Sequence, residues 1–334
     1  MTLGTTTHSL STIHDLAMLD LDGVVYRGPD AIDGVAANLA SARAGGLRLA
    51  YITNNASRTA KQVADKLRAM DVPEVADEDV VTSAQALAHL MAAALPLGSA
   101  ILLVGGEGLR GPLEESGFTC VSSLDESPVA VAQGFHPDLG WQQLAEASYA
   151  IQSGLPWFAS NTDLTVPTAR GIAPGNGSLV QAIRYATGAE PTIAGKPERA
   201  LFDETIARMG GDRPLMIGDR LDTDIDGAIN AGIDSLAVLT GVSTLAEIVD
   251  AAPGHRPTYV SADLRGLHDP HPEVVVDGRT ARCAEAAVEL VDRTIVLRSG
   301  EPRATSTLRA VVGLGWRLRD RSDVTVTLDG TLGA

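Results

Sequence analysis

Two short acidic runs, each placed directly after an apolar stretch, decide how this chain is expected to fold. The first is Met18-Leu19-Asp20-Leu21-Asp22-Gly23-Val24, and the second is Gly218-Asp219-Arg220-Leu221-Asp222-Thr223-Asp224. Each run fits a strand that presents carboxylates at its carboxyl end, and ligands of open α/β sheets bind at that edge. The two runs therefore predict a parallel sheet whose edge carries a group of aspartates.

The spacing within the first run indicates covalent chemistry. Side chains two apart on an extended strand point the same way, so Asp20 and Asp22 are expected to face one reacting group. One carboxylate can attack while the other gives a proton to the leaving oxygen and later takes one from water. Asp219 is expected to converge with Asp20 on a hard cation such as Mg²⁺, which binds carboxylate oxygens and neutralises a phosphoryl group.

Polar residues at two further strand ends are expected to bind the same phosphoryl group. The strand predicted at residues 47–52 ends in Thr53, Asn54 and Asn55, which offer a hydroxyl, amides and backbone N–H groups. Lys196 follows a short predicted strand and supplies a point charge. Each feature also has an ordinary interpretation, because Asn and Thr often cap helices and a lysine before a proline is usually a solvated surface residue.

Composition and charge narrow the classes of function. The chain has 334 residues, of which 45% are apolar, and its net charge is −16. This charge argues against nucleic acid or an anionic membrane as a partner, since both require clustered Lys and Arg. An anionic substrate would instead need a metal ion and a few placed cations. The two distant cysteines, Cys120 and Cys283, favour reduced thiols and a cytoplasmic location.

Strands and amphipathic helices alternate along the chain, which predicts an α/β fold with a Rossmann-like core. The pattern restarts between the two acidic runs without paired aspartates of its own. We therefore predict a discontinuous core at residues 1–82 and 189–267, an inserted α/β domain at residues 83–188, hereafter the cap, and a small C-terminal α/β domain at residues 268–334. Within the last segment, a helix is predicted over residues 281–291. The sequence leaves open a homodimer formed through the cap or the C-terminal domain.

In their order and placement, four motifs of this chain resemble those of the haloacid dehalogenase superfamily of Mg²⁺-dependent phosphatases. The motifs are Asp20-Leu21-Asp22-Gly23-Val24, Thr53-Asn54-Asn55, Gly195-Lys196-Pro197 and the second acidic run. The large insertion between the second and third motifs resembles the type 2 cap of the p-nitrophenyl phosphatase-like branch. The resemblance covers about residues 15–267.

The resemblance implies a phosphomonoesterase with Asp20 as the nucleophile and Asp22 as the general acid and base. It further implies that Mg²⁺ is bound by Asp20, by the backbone carbonyl of Asp22 and by Asp219, and that Asp224 supports the site and Lys196. The proton-donating aspartate is present here, which disfavours the dehalogenase branch of the superfamily.

The cap carries the expected determinants of substrate choice. Residues 159–163 and 174–178 resemble motifs of the same branch, and Asp163, Thr165 and Val166 lie where relatives place a substrate-specificity loop. The resemblance points to glycerol 3-phosphate as the substrate, and the part of this loop at residues 165–167 offers neither a ring nor a charge to bind a base or a pyridine. A phosphatase of nucleotides such as UMP, or of pyridoxal phosphate, stays open as the alternative. A non-catalytic module that binds phosphorylated metabolites is the more remote one.

One further motif matches the sequence pattern of a phosphate-binding loop but lacks the context that such a site needs. Residues 106–111 match Gly-x-Gly-x-x-Gly between a predicted strand and helix, as in dinucleotide sites. Pro112 follows at once, and the match falls inside the cap, so we interpret these glycines as a strand–helix turn. Residues 167–177 are expected to form a Pro/Gly-rich loop.

Overall fold

The computed structural model describes residues 2–168, 170–322 and 325–332. The strands, in chain order, are β1 (Leu16–Leu19), β2 (Tyr26–Arg27), β3 (Asp30–Ala31), β4 (Arg48–Thr53), β5 (Val80–Thr82), β6 (Ala100–Val104), β7 (Thr119–Val121), β8 (Ala130–Gln133), β9 (Trp157–Ala159), β10 (Thr165–Thr168), β11 (Gly171–Pro174), β12 (Thr192–Ile193), β13 (Pro214–Gly218), β14 (Asp234–Val238), β15 (Tyr259–Ser261), β16 (Val275–Asp277), β17 (Thr280–Cys283), β18 (Ala286–Val291), β19 (Thr294–Ser299) and β20 (Thr327–Leu328).

The helices alternate with these strands through the first two thirds of the chain. They are α1 (Leu10–Ile13), α2 (Val35–Ala44), α3 (Ala60–Ala69), α4 (Ser83–Ala94), α5 (Glu107–Glu115), α6 (Trp141–Gln152), α7 (Asn176–Thr187), α8 (Arg199–Met209), α9 (Asp226–Ala231), α10 (Leu245–Val249) and α11 (Thr305–Ser322). The alternation confirms the predicted α/β class.

The chain divides into two compact units. Unit 1 comprises Met1–Ala50, Asp71–Pro73 and Met209–Ala334, and unit 2 comprises Tyr51–Met70 and Glu74–Arg208. The domain boundaries predicted from the sequence divide the chain differently and stay a prediction.

A parallel sheet in unit 1 positions the two acidic runs. Its strands lie in the order β15-β14-β13-β1, and β1 pairs with β13 so that Leu19 lies beside Ile217. All four residues of β1 are buried, as expected for a parallel strand covered on both faces. The carboxyl ends of β1 and β13 therefore meet at one edge, directly before the aspartates of the two runs.

The C-terminal part of unit 1 forms a second sheet, in the order β16-β17-β18-β19-β20. The first four strands are antiparallel neighbours, and β20 pairs with β19 in parallel. The helix predicted over residues 281–291 is wrong, because this segment forms β17, a turn and β18. In β18, Ala286, Val288 and Leu290 are buried and alternate with more exposed residues. This two-residue period, packed against a helix, outweighs the helical propensity of Ala, Glu and Leu.

One hydrophobic core joins the C-terminal sheet to the parallel sheet of unit 1. Buried residues of α11, such as Val311 and Trp316, belong to the same cluster as Ile248 of α10 and Val260 of β15. The Trp316 indole N–H donates to the carbonyl of Ile248 at 2.7 Å. The C-terminal segment is therefore packed as part of unit 1.

Unit 2 contains a separate parallel sheet in the order β12-β9-β8-β6-β7 and a parallel pairing of β4 with β5. It also contains an antiparallel hairpin of β10 and β11, in which Thr165 pairs with Pro174 and Thr168 with Gly171. The Pro/Gly-rich loop predicted for residues 167–177 is therefore wrong for most of its length, because residues 167–168 and 171–174 are in β10 and β11 and α7 begins at Asn176. Proline is tolerated in this hairpin because both strands of an isolated pair are edge strands.

No helix within the described residues is long and apolar enough to cross a membrane.

A buried histidine is expected to make unit 1 sensitive to acid. Burial lowers the pKa of His271 from 6.5 to about 4, although its ring donates to the Gly266 carbonyl, and the nearby Arg309 adds to the lowering. The unfolded chain therefore binds a proton between these pH values that the folded chain does not. The free energy of unfolding should fall by about 3 kcal/mol as the pH drops from 6.5 to 4.

Urea unfolding of wild type and His271→Gln at several pH values checks this expectation, with His8→Gln as the control at an exposed histidine. The slope of stability against pH should be shallower in His271→Gln alone. Equal slopes in all three proteins would contradict it.

Candidate active site

Asp20 lies at the first position after β1. Its backbone N–H donates to the carbonyl of Ile217 at 2.9 Å, which continues the pairing of β1 with β13. The carboxylates of Asp20, Asp219 and Asp224 each offer an oxygen, and these oxygens lie within 4.8 Å of one another. The structure thus brings the nucleophile predicted in the first run together with two aspartates of the second.

Asp219 is held rigidly between two glycines. Its Oδ2 accepts a hydrogen bond from the Val242 N–H at 2.6 Å. A Cβ added at Gly23, where φ is +94°, would lie 2.5 Å from Oδ2, and one added at Gly241 would lie 1.9 Å away. Glycine is therefore required at both positions to leave room for the Asp219 carboxylate.

Asp224 supports the second run from behind. It is fully buried, and its Oδ2 accepts the N–H groups of Asp219 at 3.2 Å and Arg220 at 3.1 Å. The π-helical turn at Leu221–Ile225 brings it back over the end of β13. Asp222, in contrast, is exposed and pairs with the Arg220 guanidinium at 2.7 Å.

Asp22 lies beyond the end of β1 at Leu19 and forms an isolated β-bridge with Tyr26. That the Asp20 and Asp22 side chains face one reacting group stays a prediction. The Gly23 N–H donates to the Tyr26 carbonyl at 2.8 Å as part of this bridge, and the Asp22 side chain is exposed. A carboxylate in this position has the access to water that a proton donor and acceptor needs.

In unit 2, the Asn54 side chain makes two hydrogen bonds to the Lys196 backbone. The Asn54 Oδ1 accepts the Lys196 N–H at 2.8 Å, and its Nδ2 donates to the Lys196 carbonyl at 3.0 Å. The same Nδ2 donates to Asp163 Oδ1 at 3.1 Å. Two motifs far apart in the sequence are thereby fixed to each other, and both residues are buried.

The Thr53-Asn54-Asn55 turn does not cap the following helix. The N-cap of α3 is Thr59, whose hydroxyl accepts the Gln62 N–H while the Gln62 side chain accepts the Thr59 N–H. Thr53 is buried, and its hydroxyl accepts the Asn55 N–H at 3.1 Å. The capping role that an ordinary reading assigns to this turn is therefore filled elsewhere.

The three residues predicted to determine substrate choice lie in different surroundings. Asp163 bonds to Asn54, Thr165 is exposed on the hairpin, and Val166 lines a cavity of about 950 Å³ within unit 2. The cavity is lined by Asn55, Ser57, Arg58, Gln62, Lys66, Phe135, His136, Pro137, Leu139, Val166, Thr168, Ala173, Pro174 and Leu179. None of these lining residues is acidic, and the basic ones, Arg58 and Lys66, were not predicted from the sequence.

The Gly-x-Gly-x-x-Gly match proves to be a packing feature. A Cβ at Gly106 would lie 2.2 Å from the His136 ring, and one at Gly108 would lie 2.5 Å from the carbonyl oxygen of Ala56. The start of α5 therefore rests directly on protein atoms, which leaves no room there for a dinucleotide.

Two family models match the chain. A model described as haloacid dehalogenase-like hydrolase matches residues 17–119, and one described as HAD-hydrolase-like matches residues 193–267. The first match includes Asp20 and the Thr53 turn, and the second includes Lys196 and Asp219.

Known proteins are similar over most of the chain. A D-glycerol 3-phosphate phosphatase of Mycobacterium tuberculosis is 42% identical over 325 residues, which are 93% of this chain and 88% of that protein. A solved glycerol phosphate phosphatase from the same organism, in complex with magnesium, has a TM-score of 0.84 and 39% identity, and the match covers 96% of this chain and 94% of that one. A 4-nitrophenylphosphatase from Thermotoga maritima has a TM-score of 0.72 and 31% identity, covering 78% and 98%.

Proposed function

This chain belongs to the family of haloacid dehalogenase-like hydrolases, and on that premise we propose that it is a Mg²⁺-dependent phosphomonoesterase acting on a small phosphorylated metabolite. The membership confirms the resemblance predicted from the four motifs. The observation that carries the proposal is the approach of the Asp20, Asp219 and Asp224 oxygens to within 4.8 Å of one another. Carboxylates crowded in this way repel one another unless a cation or a proton lies between them.

The reaction proceeds in two displacements at phosphorus. An oxygen of Asp20 bonds to phosphorus while the bond to the ester oxygen breaks, which leaves an aspartyl phosphate, and Asp22 donates a proton to the departing alcohol. Asp22 then accepts a proton from water as the water oxygen attacks phosphorus. The bond from phosphorus to Asp20 breaks, and inorganic phosphate is released. Thr53, Asn54, Asn55 and Lys196 are proposed to bind the phosphoryl oxygens.

The residues at the end of β1 and β13 fit Mg²⁺. Carboxylate oxygens are the ligands that this ion prefers, and the ion neutralises the charge on the carboxylates and the phosphoryl group. We assign its ligands to Asp20, the Asp22 carbonyl and Asp219, with Asp224 holding the turn in place. The tight fit of Asp219 against Gly23 and Gly241 supports a fixed ligand at this position.

We propose glycerol 3-phosphate as the substrate, with glycerol and inorganic phosphate as products. The support is the similarity to the mycobacterial glycerol phosphate phosphatase over nearly the whole chain. The cavity in unit 2 adds Asn55, Ser57, Gln62 and Thr168 as groups able to bond to hydroxyls of a small polyol.

A phosphate-release screen tests the proposal. Wild type is assayed with glycerol 3-phosphate, UMP, pyridoxal phosphate and p-nitrophenyl phosphate, with Mg²⁺ and with EDTA. We expect the highest kcat/KM for glycerol 3-phosphate and loss of release in EDTA. A clear preference for UMP or pyridoxal phosphate would replace the substrate and keep the reaction. Tight binding without release from any ester would favour a non-catalytic binding module.

Enlarging Gly241 is expected to weaken metal binding. In Gly241→Ala the new methyl group displaces the Asp219 carboxylate, because no space exists beside its Oδ2. The Mg²⁺ concentration for half-maximal activity should rise about tenfold or more, by analogy with the loss of groups that orient metal ligands. Gly254→Ala is the matched control, since a Cβ there meets nothing within 4 Å. An unchanged Mg²⁺ requirement in Gly241→Ala would contradict the ligand role of Asp219.

The homodimer and the cytoplasmic location stay predictions. Light scattering of the purified protein would decide the first, and fractionation of the source cells would decide the second.

A further inference from the structure

Four buried amide side chains of unit 2 form a chain of hydrogen bonds in which each one donates towards the next. They are Gln133 on β8, Asn176 at the start of α7, Asn161 after β9, and Asn54 after β4, with exposed fractions of 0%, 2%, 3% and 8%. We refer to these four side chains as the amide relay. They come from segments far apart in the sequence, so the fold rather than local geometry brings them together.

Each member of the amide relay donates its NH₂ group to the next segment. Gln133 donates to the Asn176 side chain at 3.5 Å, Asn176 donates to the carbonyl of Asn161 at 2.7 Å, and Asn161 donates to the carbonyl of Asn54 at 2.6 Å. Asn54 then donates to the carbonyl of Lys196. The relay thus begins in the core of the cap sheet and ends at the predicted phosphoryl-binding lysine.

The far end of the relay is anchored as well. The indole N–H of Trp157 donates to Gln133 Oε1 at 3.1 Å, and Trp157 is itself buried. At the near end, the Asn54 carbonyl receives a second hydrogen bond, from the Ser83 hydroxyl at 2.6 Å. Both ends of the relay are therefore held by hydrogen bonds to residues outside it.

Close backbone contacts restrict the movement of the segments that carry the relay. A Cβ at Gly177 would lie 2.1 Å from the Thr162 carbonyl oxygen, and one at Gly195 would lie 2.5 Å from that of Ser160 and 2.7 Å from Asn54 Oδ1. The segments that carry Asn176, Asn161 and Lys196 thus touch directly. A shift of one would have to move its neighbours.

A buried polar network of this kind is costly if its only purpose is stability. Apolar side chains fill a core without the need to satisfy several donors and acceptors at once. What a fully satisfied network supplies is one defined arrangement of the groups at its end. The group at this end is the Asn54–Lys196 contact.

We propose that Asn161 and Asn176 are positioning residues for the hydrolysis, holding Asn54 and Lys196 in the geometry that binds the phosphoryl group in the transition state. This inference rests on the proposed function. Neither residue touches the substrate in this scheme, and they act through Asn54. Asn161 acts directly on the Asn54 carbonyl, and Asn176 acts one step further away.

The test replaces an NH₂ donor by an isosteric carboxylate. Asn161→Asp is expected to lower kcat/KM for phosphate esters about tenfold to a hundredfold, and Asn176→Asp several-fold. Orthovanadate imitates the phosphoryl group in the transition state, so its inhibition constant should rise as kcat/KM falls. The Mg²⁺ requirement should stay within twofold, because the metal ligands are not held by the relay. The double variant should resemble Asn161→Asp alone, since both changes act through one contact.

A structural role predicts a different result. Ser148→Ala, the matched control, removes the hydrogen bond from the hydroxyl of the buried Ser148 to the Leu144 carbonyl, elsewhere in the cap sequence. It should lower Tm without changing kcat/KM or vanadate inhibition. If the relay variants behave like Ser148→Ala, the proposal is overturned.

Two further measurements keep the result decisive. Should Asn161→Asp fail to fold, Ser83→Ala removes the other donor to the Asn54 carbonyl and should lower kcat/KM with the same rise in the vanadate constant. An unchanged kcat/KM in Ser83→Ala together with Asn176→Asp would count against the proposal. If wild type itself releases no phosphate, the proposed function fails, whereas an active wild type with unaffected variants overturns the relay alone.

Discussion

Asp20→Asn is expected to abolish Mg²⁺-dependent phosphate release, with kcat reduced by about 10⁴-fold or more. The amide has the size of the carboxylate, and the hydrogen bond from the backbone N–H of residue 20 to the Ile217 carbonyl is unaffected. The end of β1 should therefore keep its shape. The amide oxygen is a poor nucleophile, however, and no aspartyl phosphate can form. Phosphate release under saturating Mg²⁺ measures the effect, and thermal unfolding verifies that the variant is folded.

Asp222→Asn provides the matched control. It makes the same chemical change within the second acidic run, on an exposed side chain that pairs with Arg220 at the surface. Its kcat should stay within twofold of wild type. Turnover of Asp20→Asn within tenfold of wild type would refute covalent catalysis by this residue. An equal loss in both variants would instead assign the effect to the total negative charge at this edge.

The sequence identifies the aspartates of the site because their position follows from strand order. Asp20 and Asp219 each follow a short apolar segment, and parallel strands end at a common edge, so their meeting could be predicted. The bridge between Asp22 and Tyr26 could not, because it depends on how the chain turns back after Leu21. Nothing in the sequence around Gly241 indicates its role, since that role arises from contact with the distant Asp219.

The fold was predictable where periodicity and propensity agree. They conflict in β18, where Ala and Glu favour a helix but Val288 and Leu290 are buried at alternate positions. The amide relay illustrates a second limit. Asn161 and Asn176 lie in segments recognised as cap motifs, yet in the relay their NH₂ groups donate to main-chain carbonyls, which carry no signature in a sequence.

Trp316→Ala is expected to destabilise unit 1 by about 3–5 kcal/mol. Trp316 is 3% exposed within the cluster that joins α11 to α10 and β15, and its ring lies 4.8 Å from the guanidinium of the buried Arg256. Truncation leaves a cavity where α11 packs against α10 and β15, a contact that we call the seam. It also leaves the Ile248 carbonyl without its indole donor and removes the aromatic face beside Arg256, whose remaining ion pair is with Asp320. Urea unfolding measures the loss of stability.

Trp141→Ala is the control for this prediction, because Trp141 is 75% exposed and its loss should change stability by no more than about 0.5 kcal/mol. Buried residues of α10 and β15 share one cluster with those of α11, so their burial should depend on this helix. A loss below 1 kcal/mol in Trp316→Ala would show that the seam contributes little and that the C-terminal segment is held by other contacts. Trp316→Phe separates the two terms, since it keeps most of the ring volume and removes the hydrogen bond, and its smaller loss should be about 1–2 kcal/mol.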